Sequence, residues 1–356
     1  MIGIDAGNSL DRPPTGVAIY ARNLIRELAQ AHPSQRFGWF YRSNRYFRSF
    51  RAQRPANASR RILEAPLLRL SARGLQLFHG LNQRLPPLVG VPTVATFHDL
   101  FAITGEFSTG EFKERFARLA RETARRADHV IAVSSHTARQ VQTKLGVPRS
   151  RITVVHHGVE TLAVPSRARR EQALAALGVA KPFVLHVGAL QVRKNVERLV
   201  AAFEASGQTA QLVLAGSLGF GASRILERIR RSAVRDSVLL AGHVSDATRA
   251  SLYAEAEALL FPSLDEGFGL PVIEAFSVGL PVITSDVSAL PEVAGDAAVL
   301  VDPRNTDEIA RGLQAVLEDP GLRSALRRKG LARASKFTWE RCAEQTWRVY
   351  ERLLRA

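Results

Sequence analysis

The sequence predicts an α/β protein made of two doubly wound parallel-sheet domains. Three observations carry that reading. Short runs rich in Val, Ile, Leu and Phe alternate with longer helix-like stretches along the whole chain, the pattern of parallel sheets covered by helices on both faces. The alternation pauses once, between residues 158 and 181, where Pro165 and a charged run at 167–171 stand just before Pro182. The 356 residues exceed one ordinary core and suit two domains. We therefore expect a first domain at 1–162, a linker at 163–180, a second domain at 181–337, and a last helix at 338–356 that returns to the first domain.

Taken in order, the first half should hold strands at 2–4, 37–41, 61–64, 75–78, 93–97, 130–133 and 153–155. Helices fit 17–30, 110–126 and 135–145, the last opened by Ser135, a residue type that caps free N–H groups. The second half repeats the rhythm, with strands at 183–187, 211–215, 238–241, 258–261, 282–284 and 299–301 and helices between them. After the buried strand at 258–261, Gly267 and Gly269 loosen the backbone. Pro271 then suits the first turn of a helix, where its missing N–H costs nothing. That helix runs on over 272–278, with Glu274 expected in its first turn. At the end of the chain Trp339, Ala343, Trp347, Tyr350 and Leu354 fall on one helical face, a stripe expected to pack across both domains.

Composition narrows the function classes. The chain is 46% hydrophobic, with no repeat and no low-complexity tract. Its start lacks a basic segment followed by a long apolar run, so no signal peptide is expected, and no apolar stretch has bilayer length. One cysteine, Cys342, excludes a disulfide framework and a thiolate metal site. A cytoplasmic location follows as the expectation. Net charge is +16, and residues 36–73 hold ten arginines against one acid, Glu64. Water, an anionic membrane surface and nucleic acid compete as partners of that cluster. A membrane is favoured by about 1 kcal/mol per basic residue near it. No nucleic acid is expected, because the local aromatics (Phe37, Trp39, Phe40, Tyr41) alternate like a strand and no recognition motif accompanies them.

The chemistry gathers at strand ends. Glu266 and Glu274 bracket the run Glu266-Gly-Phe-Gly-Leu-Pro-Val-Ile-Glu274, which passes from a strand end into a helix. The spacing alone is uninformative, since Glu106/Glu114 and Glu114/Glu122 share it. The context is informative, because open α/β sheets bind ligands outside the carboxyl ends of their strands and helix starts attract phosphate. Gly188 ends another strand, and Arg193-Lys194-Asn195 then opens a helix; two cations there suit a diphosphate. Pro14-Thr15-Gly16 follows the first strand, with a glycine that lets backbone approach a ligand. His98-Asp99 follows the strand at 93–97. His156-His157 reads as a strand end, with no third residue to make a metal site.

Gly188 with Arg193-Lys194-Asn195, the segments 241–246 and 262–271 with Glu274, 291–296 and 301–303 together resemble glycosyltransferase family 4. Members are retaining, nucleotide-sugar-dependent enzymes of the GT-B architecture, two Rossmann-like domains facing a central cleft. The resemblance covers essentially the whole chain and is strongest over 183–303. It implies that Glu274 holds the donor's ribose hydroxyls and that Glu266 contacts hydroxyls of the transferred sugar. It implies that amides of Phe268, Gly269 and Leu270, beyond Gly267, meet sugar and phosphate. By the same resemblance Arg193 and Lys194 neutralise the diphosphate beside Gly188. Gly16 approaches the donor from the first domain, and His98 lies near the anomeric centre. Two departures stand out: Ala189 replaces a common arginine, and Thr15-Gly16 replaces a common pair of glycines.

The absence of any Asp-x-Asp predicts no essential metal and no cofactor beyond the donor itself. The segment 97–100 with Phe107 and Ser108 resembles bacterial polysaccharide mannosyltransferases that use GDP-mannose, with a glycan or lipid-linked acceptor. UDP-sugars stay open as donors. Two alternatives stay open as well: a nucleotide-sugar epimerase of the same fold, and a non-catalytic nucleotide-sugar or nucleic-acid binding protein.

Overall fold

A computed structural model describes residues 1–64, 67–160 and 162–355, without the side chain of Arg69. The chain forms two compact units, Met1–Gly158 with Phe337–Ala356, and Val159–Lys336.

The first unit contains a seven-stranded sheet: β1 Ile2–Asp5, β2 Phe37–Tyr41, β3 Ala58–Ile62, β4 Leu77–Gly80, β5 Thr93–Phe97, β6 His129–Ala132 and β7 Ile152–Val154. Its order is β3-β2-β1-β4-β5-β6-β7, with parallel pairings such as Ile4 beside Trp39 and Ala95 beside Val130. Its helices are α1 Gly16–Ala31, α2 Ser43–Ser49, α3 Leu68–Ser71, α4 Phe101–Thr104, α5 Gly110–Arg126 and α6 Ser135–Leu145. Thr15, Thr109 and Ser134 cap α1, α5 and α6, each accepting from an amide three residues on. The cap of α6 is therefore Ser134, one residue before the serine expected.

The second unit holds a six-stranded parallel sheet: β8 Phe183–Val187, β9 Gln211–Ala215, β10 Val238–Gly242, β11 Ala258–Phe261, β12 Val282–Ser285 and β13 Val299–Val301. The order is β10-β9-β8-β11-β12-β13. Around it lie α7 Arg167–Leu177, α8 Val196–Ala205, α9 Ala222–Arg231, α10 Asp246–Glu255, α11 Leu270–Ser277, α12 Leu290–Ala294, α13 Thr306–Glu318 and α14 Pro320–Ala334. Strands β8, β9 and β11 are buried along nearly their whole length, which is why they read as continuous apolar runs.

The expected linker changes here, and so does the expected closing stripe. Residues 163–180, expected as a linker, carry α7, which belongs to the second unit. Its Arg170, together with Lys181 beyond its end, pairs with Glu255 at the end of α10. Of the charged run only Arg170 docks; Arg167 and Glu171 pair with each other in exposed positions. The closing helix, α15 Trp339–Arg355, belongs to the first unit. Trp339, Cys342, Ala343, Val349 and Tyr350 join the core of β1, β2 and α1, with Trp347 packed against them. Leu354 is 41% exposed and leaves the expected stripe. A buried bond ties the helix to the sheet: the Tyr350 hydroxyl lies 2.6 Å from His79 Nδ1, and His79 Nε2 lies 2.8 Å from Thr96 Oγ1.

The basic cluster is divided in its work. Arg45 pairs with Asp11 and donates to Gly7 O at 2.7 Å. Arg60 donates to Ser49 O and Ala52 O and lies over the Phe50 ring. Those two arginines brace the fold. Beside them Phe47 is 81% and Phe50 59% exposed.

Candidate functional site

In the second unit β8 lies beside β11, the point where the winding of the sheet reverses. Loops leaving neighbouring strands at such a point diverge and leave a crevice. The loop after β8 carries Gly188, Arg193 and Lys194. The loop after β11 carries Glu266, Gly267 and Phe268, and Gly269 then caps α11. Of the sequence-predicted donor residues of this unit, Gly188, Arg193, Lys194, Glu266, Gly267, Phe268 and Gly269 stand on the two loops that flank the reversal, and Leu270 and Glu274 stand on α11.

Backbone packing shapes the first loop. A Cβ at Gly216 would sit 1.9 Å from Gly188 O, so only glycine lets the loops after β8 and β9 meet. Contrary to the sequence expectation, Arg193 and Lys194 do not open the helix. They form a short 3-10 turn, and Asn195, left-handed at φ 60°, separates that turn from α8. Asparagine tolerates this conformation. Its Nδ2 donates to Pro262 O at 2.9 Å and Pro303 O at 2.6 Å. The two cations are therefore fixed to the loop that carries Glu266.

Glu266 is the centre of a buried charge cluster. Lys194 Nζ lies 2.5 Å from its Oε1, and Arg193 Nη1 lies 3.1 Å from its Oε2 and 2.6 Å from Asp265 O. Lys194 also sits 4.8 Å from the centre of the Phe261 ring, a further attraction for a desolvated cation. Burial works against the Glu266 charge, but Lys194 and Arg193 overcome it and hold the carboxyl at about 2. The cluster is a preorganised anion with two fixed cations.

Gly269 is left-handed at φ 105°, and Pro271 follows in the first turn of α11. First-turn amides have no acceptor in a preceding helical turn; here Pro271 has no N–H and Val272 N donates to Gly269 O at 3.0 Å. Glu274 is the fifth residue of α11, just past the first turn where it was expected. Its Oε2 accepts from the Tyr253 hydroxyl at 2.9 Å, and Arg249 Nη1 lies 3.4 Å from its Oε1. Burial raises its pKa, against the pull of Arg249 and Tyr253. Sequence reasoning missed Arg249 and Tyr253. Their four-residue spacing on one helix was available as a signal, but nothing local ties that helix to α11.

His186 was missed as well. It is buried on β8, with Nδ1 3.1 Å from Leu260 O. A carbonyl only accepts, so Nδ1 carries the proton. Burial lowers its pKa to about 4, and the ring is neutral at pH 7.

Gly16 and His98 belong to the first unit. Gly16 begins α1 just after the Thr15 cap. His98 follows β5 and is buried, with Nε2 2.8 Å from Leu81 O. It stacks on His157 at 5.3 Å and meets Tyr20 edge-on at 4.8 Å. Burial lowers its pKa to about 4. His98 is therefore neutral at pH 7, and its Nδ1 keeps a lone pair. His157 is a packing histidine between His98, Tyr20 and Trp339.

The model of the family Glycosyl transferases group 1 matches residues 169–333, and that of Glycosyltransferase Family 4 matches residues 14–161. The chain is 27% identical over 284 residues to the O-antigen chain mannosyltransferase B of Escherichia coli, covering 78% of this chain and 74% of that protein. It is equally similar to the serotype-specific mannosyltransferase WbdA of Escherichia coli, 27% over 284 residues and 76% of this chain, but spans only 35% of that longer protein. Among solved structures, HepE of Anabaena in complex with UDP-glucose has the same fold, with a TM-score of 0.76, 21% identity and coverage of 98% of each chain.

Proposed function

We propose the following reaction from the premise that this chain belongs to glycosyltransferase family 4: it moves a mannosyl group from GDP-mannose to a glycan or lipid-linked acceptor during cell-surface polysaccharide synthesis. The observation that carries this is the buried Glu266 held between Lys194 and Arg193 at 2.5 and 3.1 Å, at the sheet reversal of the second unit. Breaking a sugar–phosphate bond builds negative charge on the departing diphosphate. Fixed cations stabilise that charge without having to reorganise. Arg193 and Lys194 take this part, with Gly188 letting the phosphates approach and the amides at Phe268, Gly269 and Leu270 adding donors. Glu266 keeps both cations in place and accepts from hydroxyls of the sugar, and Glu274 accepts from the ribose.

The same balance argues against Glu266 as a covalent nucleophile. A carboxylate held at about 2 between two cations is a poor one. We propose departure and attack on the same face, with retention and with the leaving phosphate taking the acceptor's proton. No metal is needed, because the two side-chain cations carry the charge that a metal would.

The mannosyltransferase relatives support mannose, and the UDP-glucose complex of HepE keeps UDP-sugars as the alternative donor. Thermal stabilisation by GDP against UDP decides between them; a ligand at 100 times its Kd stabilises by about 2.7 kcal/mol. Transfer assays with a panel of nucleotide sugars, repeated with EDTA, test the rest. An inverted anomeric centre in the product, or loss of turnover with EDTA, overturns the corresponding part. Product formed from the donor without an acceptor identifies an epimerase.

No helix among the described residues is long and apolar enough to cross a membrane. We propose contact with an anionic membrane surface through α2 and its C-cap, where exposed Phe47 and Phe50 stand among the arginines of 36–73. Aromatic side chains suit the lipid boundary and the cations suit its phosphates.

A further inference from the structure

We infer that Arg249, with Tyr253 beside it on α10, sets the charge and the aim of Glu274 and is a positioning residue for the nucleotide half of the donor. The inference rests on the reading that Glu274 accepts from the ribose hydroxyls. Its own ground is geometric. Tyr253 restrains one carboxylate oxygen at 2.9 Å, and Arg249 restrains the other at 3.4 Å. A carboxylate has about four lone-pair positions. One partner per oxygen leaves acceptor capacity on both, side by side, which matches a vicinal diol. Arg249 is itself steadied by Asp246, whose Oδ1 lies 3.2 Å from Nη2.

The ion pair has a second consequence. Glu274 is buried, and the charged groups bearing on it are Arg249 on one side and the acids Asp246 and Glu160 on the other, with the Tyr253 hydroxyl donating. Burial and the two acids favour the protonated form; Arg249 and Tyr253 favour the ionised one. A protonated carboxyl loses part of its capacity to accept from a diol. Arg249 therefore decides how far the pH can fall before the ribose is released.

The test measures GDP and, in parallel, 2′-deoxy-GDP binding by calorimetry between pH 5 and 8, with UDP and 2′-deoxy-UDP as the second pair. Wild type should prefer the ribonucleotide and lose that preference as pH falls. Arg249→Met should lose it at a pH about one unit higher, because removing an adjacent opposite charge shifts a carboxyl by roughly 1–3 units. Arg249→Lys should restore the wild-type profile. Tyr253→Phe, which keeps the packing, should shift the profile the same way by less and serves if Arg249→Met does not fold. Glu274→Gln isolates the underlying reading. If wild type does not discriminate and Glu274→Gln binds as well, the ribose assignment fails. If Glu274→Gln loses the preference while Arg249→Met and Tyr253→Phe keep the wild-type pH profile, the inference about Arg249 fails alone.

Discussion

Replacing Glu266 by Gln keeps the shape of the site and removes its negative charge. Glu266 has a folded-state pKa of about 2, against 4.5 for an ordinary glutamate. A depressed carboxyl contributes stability that is present above the unfolded pKa and lost as pH falls through the folded one. Two and a half units correspond to about 3 kcal/mol near neutrality, and roughly half of that should survive at pH 3. In a domain of 150–250 residues each kcal/mol moves Tm by about 2–4 °C. Glu266→Gln should therefore melt about 6–12 °C below wild type at pH 7, with the gap constant down to about pH 5 and closing below it. Scanning calorimetry of both proteins at matched pH values reads the gap directly, and titrations of other groups cancel in the difference. A gap as wide at pH 3 as at pH 7 would show that the two cations do not hold this carboxylate.

Other perturbations separate the parts of the site. Lys194→Ala should lower kcat by about 100- to 1,000-fold, the usual effect of losing one preorganised stabiliser; unchanged turnover removes Lys194 from the chemistry. Gly216→Ala places a methyl group 1.9 Å from Gly188 O and should cost about 1–3 kcal/mol of stability, as overpacking does, with a higher KM for the donor; wild-type values for both would contradict the close approach of these loops. Phe47→Ser with Phe50→Ser should reduce sedimentation with anionic vesicles by more than about tenfold, since burying each ring contributes about 1.5–3 kcal/mol, while leaving turnover of a water-soluble acceptor unchanged. Undiminished binding, or equal binding to neutral vesicles, removes the membrane assignment for α2.

Most of the strands were legible because parallel strands are buried on both faces and so stand out as unbroken apolar runs. The sheet core of the second unit, β8, β9 and β11, is the plainest case. Strand ends shifted by one to three residues where side chains at the boundary pack equally well in a loop; β3 begins at Ala58 rather than at the expected Arg61. The helix in the expected linker was hidden because the first half of α7 is a charged run and only Leu174 is buried. What holds it is Arg170 paired with Glu255, 85 residues away. The site was legible where the chain carries it locally, as in the run from Glu266 to Glu274. It was illegible where distant elements supply it. Asn195 was visible only as a neighbour of two cations, yet its bonds to Pro262 O and Pro303 O tie the β8 loop to the loops after β11 and β13.

Glu266 and Glu274 show why neighbouring residues, rather than residue type or depth, assign roles. The two carboxylates are 6% and 7% exposed, so burial burdens both alike. Their pKa values nonetheless move in opposite directions, down to about 2 for Glu266 and upward for Glu274. Glu266 has two cations, at 2.5 and 3.1 Å; Glu274 has one guanidinium at 3.4 Å, shared with Asp246, and a neutral hydroxyl. As pH falls, Glu274 takes up a proton first, while Glu266 still pins Lys194 and Arg193. Acid should then weaken the hold on the nucleotide before it disturbs the groups that stabilise the leaving diphosphate. In steady-state kinetics the donor KM should rise on the acid side over a range in which kcat is still flat. An acid limb that appears first in kcat would reverse the roles of the two glutamates.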